Sequence, residues 1–222
     1  MWCIPTLTQA FIERMEGVLA LYARPYDPRE PVLCFDEKSK ELRQETRKVQ
    51  RTKHGTPRRR DYEYKRNGTA NIFLTVEPKG GYRTTRVTKR RTRPDFAREL
   101  RRIVALSCYQ KARKLHIVLD NLNTHTEQSL IGTFGEEETA RIMRKVEFHH
   151  TPKHASWLNM AEIEIGVMTR QAIKGRIGTK QKLRAALRAW RRRRNRIHAT
   201  INWTFTKRDA RKKLKYSGRK LC

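Results

Sequence analysis

The sequence predicts an α/β protein, a mixed β-sheet flanked by helices with a basic helix near its C-terminus. Two runs carry the prediction, residues 32–35 (VLCF), continuously apolar, and 115–119 (LHIVL), apolar but for His116. Each stops at an acid, Asp36-Glu37 after the first and Asp120 after the second. Apolar runs of this length suit central strands covered by helices on both faces, and acids at such strand ends are a common arrangement for a site on an open sheet. The third observation is the apolar 3.6-residue period of the segments around them.

Taken in order, residues 6–22 read as a helix. Thr8 is its cap, and Phe11, Met15, Val18, Leu19 and Tyr22 recur at helical spacing. RPYDPREP (24–31) has three prolines in eight residues and delivers the chain into strand 32–35. Residues 38–60 read as a polar, strongly basic excursion. Segments 69–76 and 81–89 read as a hairpin turned by Lys79-Gly80-Gly81. Pro94 opens a helix running to about residue 107. The strand at 115–119 follows, then a helix at 136–144, a short third strand at 146–149, and a helix beginning near 156–159 that contains Glu162. A last helix, 181–198, aligns Leu183, Ala186, Leu187, Trp190 and Ile197 on one stripe. Trp157 and Trp190 read as core residues ahead of stacking platforms for bases. The division this suggests is an N-terminal helix and linker (1–28), a catalytic domain (29–178) and a basic helical extension (179–222).

Charge selects the partner. Fifty-two Lys and Arg against 22 Asp and Glu leave a net charge of +30, which calls for a polyanion such as nucleic acid. A basic RNA-binding protein would show the same imbalance, so charge leaves the chemistry open. Segments 47–60, 83–93 and 188–196 are the expected phosphate contacts: Arg58, Arg59, Arg60, Arg90, Arg91, Arg191, Arg192, Arg193 and Arg194. Cys3, Cys34, Cys108 and Cys222 are scattered with no CxxC pair, against a zinc ribbon or a disulfide framework and in keeping with reduced cytosolic thiols. No apolar run approaches the ~20 residues that span a bilayer, and no secretory leader is visible; a soluble intracellular protein with no membrane partner is expected.

Asp36, Asp120 and Glu162 stand out together. Neighbouring parallel strands would set the two aspartates side by side, and a helix crossing that end would add the glutamate. Converging carboxylates raise one another's pKa, and hard divalent cations such as Mg²⁺ or Mn²⁺ relieve the conflict. Two such ions about 3.5–4 Å apart suit phosphodiester hydrolysis. Singly, each acid also reads as a turn former or helix cap. Asn121 either hydrogen-bonds the metal site or caps the next helix. His125 orients a carboxylate, touches a phosphate, or is a polar loop residue. His149, His150 and His154 lack acidic or thiol partners in sequence and read poorly as a zinc site.

VLCFDEKS (32–39), DYEYKRNGTANIF (61–73), IVLDNLNTHT (117–126) and HHTPKHASWLNMAEIEIG (149–166) resemble the mariner superfamily of DDE transposases, in particular its bacterial insertion-sequence branch. The resemblance runs from about residue 2 to the C-terminus, and the third signature block, a Pro, then Trp-Leu-Asn, then an acid three residues on, is its most specific part. It implies a ribonuclease-H-like fold, two Mg²⁺ (or Mn²⁺) ions, and a catalytic, metal-holding triad of Asp36, Asp120 and Glu162. Glu162 is placed by its spacing after Leu158-Asn159, with Glu164 as competitor. The two point about 200° apart on a helix and cannot both face one metal pair. Glu37 faces away from Asp36 in a strand and is expected in a supporting or structural role. The implied chemistry is hydrolytic nicking of transposon ends, then attack of the freed 3′-hydroxyl on target DNA. The interval from Asp120 to Glu162 is longer than in the superfamily's animal members, and residues 127–145 are the expected helical insert. A helix-turn-helix reader is not seen ahead of the catalytic blocks, which suggests a separately encoded subunit or a truncated remnant. A homodimer on DNA and a bacterial, nucleoid-associated location go with the resemblance. The alternatives are a ribonuclease-H-like nuclease and an inactive nucleic-acid-binding remnant.

Overall fold

The structure, a computed structural model, describes residues 7–47 and 62–216. Arg58, Arg59 and Arg60 lie outside them. The chain enters through α1 (Gln9–Ala23), whose first turn is capped by Thr8 as its hydroxyl accepts from the Phe11 amide at 3.2 Å. Strand β1 (Val32–Glu45) follows, then β2 (Tyr64–Glu77) and β3 (Tyr82–Thr88), joined by the expected tight turn. Gly81 is required in that turn: its φ is +68°, and a Cβ there would meet the His198 backbone at 2.6 Å. Helix α2 (Arg93–Val104) opens on a capping box formed by Thr92 and Asp95, and β4 (Leu115–Leu119) is buried throughout. Helices α3 (Glu127–Phe134) and α4 (Glu136–Met143) lead to β5 (Val146–His150). Then come α5 (Met160–Gln171), α6 (Lys180–Arg196) and α7 (Lys207–Leu214).

The five strands form one mixed sheet in the order β3-β2-β1-β4-β5. The first two pairings are antiparallel and the last two parallel. Because strand side chains alternate between faces, the sheet carries two separate cores. On one face Cys34, Leu74, Val87 and Val118 pack with α1, α5, α6 and α7. On the other, Leu33, Phe35, Phe73, Ile117 and Leu119 pack with α2, α3 and α4. Trp190 is 3% exposed, and Trp157 packs against the first core with its ring 5.5 Å from Phe205; both tryptophans are packing residues, as expected.

Two expectations need correction. The basic excursion was expected to begin at residue 38, directly after the acids, but β1 runs on to Glu45, paired with β2 all the way and kinked by one register shift near Leu42. Antiparallel pairing gives these polar residues their backbone partners, so the strand persists without an apolar sequence. Asp36 therefore lies inside a strand, beyond the last residue paired with β4, Cys34. Helices α3 and α7 were also not delimited, although α3 falls within the 127–145 stretch expected as a helical insert. α3 is short, and α7 (KRDARKKL) buries only Ala210, so periodicity had almost nothing to register.

Candidate active site

The parallel register sets the first two acids together. Leu33 pairs with Ile117 and Cys34 with Val118, so the same offset carried two residues further places Asp36 beside Asp120. Asp36 shares the face of Cys34, the one covered by α5, and Asp120, the first residue after β4, lies close enough to raise the Asp36 carboxyl while its Oδ1 touches His125 at 2.6 Å. Glu162 sits in the first turn of α5, exposed. Asn159 fixes that turn against β1. Its side-chain oxygen accepts from the Ala161 amide at 3.1 Å, capping the helix, and its Nδ2 donates to the Phe35 carbonyl at 2.8 Å. One buried amide thus ties the start of the glutamate's helix to the residue preceding Asp36. Asn159→Ala is expected to cost about 2 kcal/mol, a lost cap plus a lost buried hydrogen bond, checked by urea unfolding.

The electrostatics record the convergence. Burial pushes the Asp36 carboxyl up to about 7, with Asp120, Glu37 and Glu162 adding to the rise. The Glu37 amide, donating to Asp36 Oδ1 at 2.7 Å, pulls the other way without prevailing. Among the described residues these three acids do not bring their oxygens within 4.8 Å of one another, but a half-buried carboxyl lying in the field of two further carboxylates supplies hard oxygen donors of the kind that suit Mg²⁺ or Mn²⁺.

Behind the notch, on the opposite face of the sheet, His125 is fully buried between the rings of Phe35 and Phe96. Its Nε2 lies 2.9 Å from Glu37 Oε1. Its Nδ1 lies 2.6 Å from Asp120 Oδ1, in contact but out of line for a straight hydrogen bond. Burial opposes a charge on this ring, but the two carboxylates overcome it and raise its pKa to about 9. His125 therefore braces Asp120 from behind and does not reach a phosphate in solvent. Glu37, turned away from Asp36 as strand alternation requires, holds the histidine in place.

Glu164, the competitor in sequence, is engaged elsewhere. It is 0% exposed and points into the molecule, where Arg83 Nε approaches to 2.8 Å and Arg194 donates to its two oxygens at 3.1 and 3.0 Å. This cluster joins β3, α5 and α6.

Residues 31–184, more than two thirds of the chain, match the family model described as DDE superfamily endonuclease. The chain belongs to that family. Three solved structures share the fold of this DDE endonuclease. They are the Mos1 mariner paired-end complex with Mn (TM-score 0.57, 16% identity, covering 90% of this chain and 60% of that one), the Mos1 strand transfer complex (0.56, 17%, 90% and 59%) and the Mos1 paired-end complex with Mg (0.53, 15%, 90% and 62%). The chain thus spans about 60% of the Mos1 chains it matches. No curated protein sequence matches it.

The remaining expected residues of the DDE endonuclease divide. Asn121 neither caps α3, whose N-cap is Thr126, nor stands free. Its amide donates to the Thr151 carbonyl and accepts from Arg14 at 3.2 Å, pinning the loop after Asp120. Arg194, expected at phosphate, is turned inward onto Glu164, as is Arg83 from the same basic segments. The physical reason is that a buried carboxylate needs cationic partners, and these arginines are the ones in reach. Arg90, Arg91, Arg192 and Arg193 are exposed, and Arg191 is half-buried. His149 keeps company other than His150 and His154: with His116 and Glu147 it forms a cluster whose donor atoms lie within 4.8 Å of one another, on β4 and β5 and separate from the three acids. Among the described residues, no helix is long and apolar enough to cross a membrane.

Glu37 has the supporting role expected of it, whereas Asn159 and the Arg83–Glu164–Arg194 cluster were not assigned roles of this kind from sequence. Only Asn159 carried a usable signal there, an Asn directly before a helical run.

Proposed function

We propose that this chain is the catalytic part of an insertion-sequence transposase, cutting DNA at element ends and joining them to target DNA. The observation that carries the reading is the influence of Asp120 and Glu162 on the half-buried Asp36 carboxyl, which supports a shared acidic site at this end of the sheet. Family membership and the fold shared with the Mos1 complexes support it.

Asp36, Asp120 and Glu162 would hold divalent metal, Mg²⁺ or Mn²⁺ and two ions in this reading, whose charge stabilises the attacking and leaving oxygens of an in-line displacement. In the first step water adds to a phosphorus at the element end and the P–O3′ bond breaks, leaving a 3′-hydroxyl and a 5′-phosphate. In the second, that 3′-hydroxyl attacks a target phosphodiester and displaces its 3′-oxygen. The chain's part is placement. His125 and Glu37 fix the Asp120 carboxylate, and Asn159 fixes the turn bearing Glu162. A separately encoded helix-turn-helix subunit would read the ends, two chains would act together on DNA, and the setting would be the bacterial nucleoid.

The test is a nicking and strand-transfer assay on element-end duplexes with Mg²⁺ or Mn²⁺. Wild-type protein is expected to cut and join, and Asp36→Asn and Asp120→Asn to do neither. Activity surviving in Asp120→Asn, or cleavage of RNA–DNA hybrids with no joining, would count against the reading.

A further inference from the structure

Between the edge strand β3 and helix α6 runs an open groove of about 550 Å³. Its lining includes Arg86 from β3, Lys89 just past the end of that strand, and Arg184, Arg188 and Arg191 from α6, with no acidic residue. The three arginines fall at i, i+4 and i+7, so they form one stripe along the helix. Val87 and Leu187, both nearly buried, form the floor and belong to the same core as α5. Arg86 has Glu99 at 3.5 Å. Among the described residues, no carboxylate pairs with Lys89, Arg184, Arg188 or Arg191. Two basic segments about a hundred residues apart in sequence thus wall a single trough.

We propose that this groove binds the sugar-phosphate backbone of the DNA duplex on which the acidic site acts. The inference rests on the function proposed above and adds where the duplex lies. Register gives the placement: Asp36 pairs with Leu74, and Leu74 with Thr85, which lines the groove. Two strand spacings put Thr85 about 10 Å from Asp36, roughly three base-pair rises along a duplex. Val87 at the groove and Asp36 point to the same face. Cations without local acids, on exposed side chains over an apolar floor, suit phosphates, which give affinity and position without sequence information.

The experiment measures binding of a duplex by fluorescence anisotropy in EDTA, in an Asp120→Asn background, so that cleavage plays no part. The groove pair Arg184→Ala with Arg188→Ala is compared with Lys212→Ala with Lys213→Ala, an equal loss of charge at exposed positions on α7. If both groove arginines contact phosphate, affinity is expected to fall roughly thirtyfold at about 0.15 M salt, and the slope of log K against log salt to shrink by about 1.8. Lys89→Ala, on the opposite wall, is expected to shrink the slope by about 0.9. The α7 pair is expected to change little. Equal losses for groove and α7 pairs would overturn the proposal, because only net charge would then matter. So would an unchanged slope in Lys89→Ala together with the groove pair. A protein that binds through the groove yet never cuts with Mg²⁺ or Mn²⁺ would refute the transposase reading and leave the groove standing; one that cuts but ignores the groove variants would do the reverse.

Discussion

Glu162→Gln is expected to lower cleavage by about a thousandfold or more, several kcal/mol of charge stabilisation at the reacting phosphate, while leaving the unfolding midpoint where it was. Glu164→Gln, two residues along the same helix, is expected to do the opposite. Glu162 is exposed in the first turn of α5, so its amide analogue loses a ligand and little else. Glu164 is fully buried between Arg83, itself 0% exposed, and Arg194. Removing the central carboxylate leaves a guanidinium buried without its counter-charge, a defect worth about 3–5 kcal/mol. For a chain of this size that corresponds to a fall in Tm of roughly 10 °C. Thermal unfolding and single-turnover cleavage on the two variants check the pair of outcomes. Cleavage retained in Glu162→Gln and lost in a stably folded Glu164→Gln would mean that the wrong glutamate has been placed at the metal.

Asp36→Asn is expected to stabilise the metal-free protein at pH 8 while abolishing its activity. Burial and the neighbouring acids hold the Asp36 carboxyl at about 7 in the folded chain, against 3.8 for a free aspartate. The folded state therefore binds this proton more tightly than the unfolded state does. The cost of ionising it is absent below about pH 4, grows between pH 4 and 7, and is complete above 7. A shift of this size corresponds to about 4 kcal/mol. His125 adds to the same trend from the other charge type. Its pKa is raised from 6.5 to about 9, so its stabilising contribution is fully present below 6.5 and disappears as the pH passes through 9. Wild-type protein in EDTA should thus lose stability steadily from pH 4 to 9, and Asp36→Asn should flatten the lower part of that curve. Saturating Mn²⁺ should restore wild type at pH 8 and do little for the variant. Urea titrations at pH 5 and 8, with EDTA or Mn²⁺, decide the matter. Asp36→Asn no more stable than wild type at pH 8 in EDTA would show that the carboxylate is not under the strain inferred.

What could be read from the chain was what apolar patterning and local caps encode. Two apolar runs located β1 and β4, and the acid following each run marked the level at which the site lies. The preference for Glu162 over Glu164 came from the family resemblance, whose glutamate follows Leu-Asn at this spacing. The reason Glu164 is unsuitable, its burial against Arg83 and Arg194, depends on residues about 80 positions upstream and 30 downstream, and no local pattern announces it. The polar half of β1 was hidden for a related reason: KSKELRQE is a strand because β2 pairs with it, not because of its composition. For His125 the sequence leaves three readings open, orienting a carboxylate, touching a phosphate or a plain loop residue, since nothing around it in sequence reveals that Phe35, Phe96 and Glu37 close over it.

The position of α3 and α4 bears on how such proteins are compared. These helices occupy the interval between the second aspartate and the glutamate, yet they pack on the face of the sheet opposite α5, the helix that carries Glu162. In this chain much of the sequence between Asp120 and Glu162 is therefore stored on the back of the sheet, and the length of that stretch does not set how far the two acids lie from each other. An insertion or trimming in α3 or α4 would leave the pairing of β4 with β1 and the anchoring of Asn159 in place.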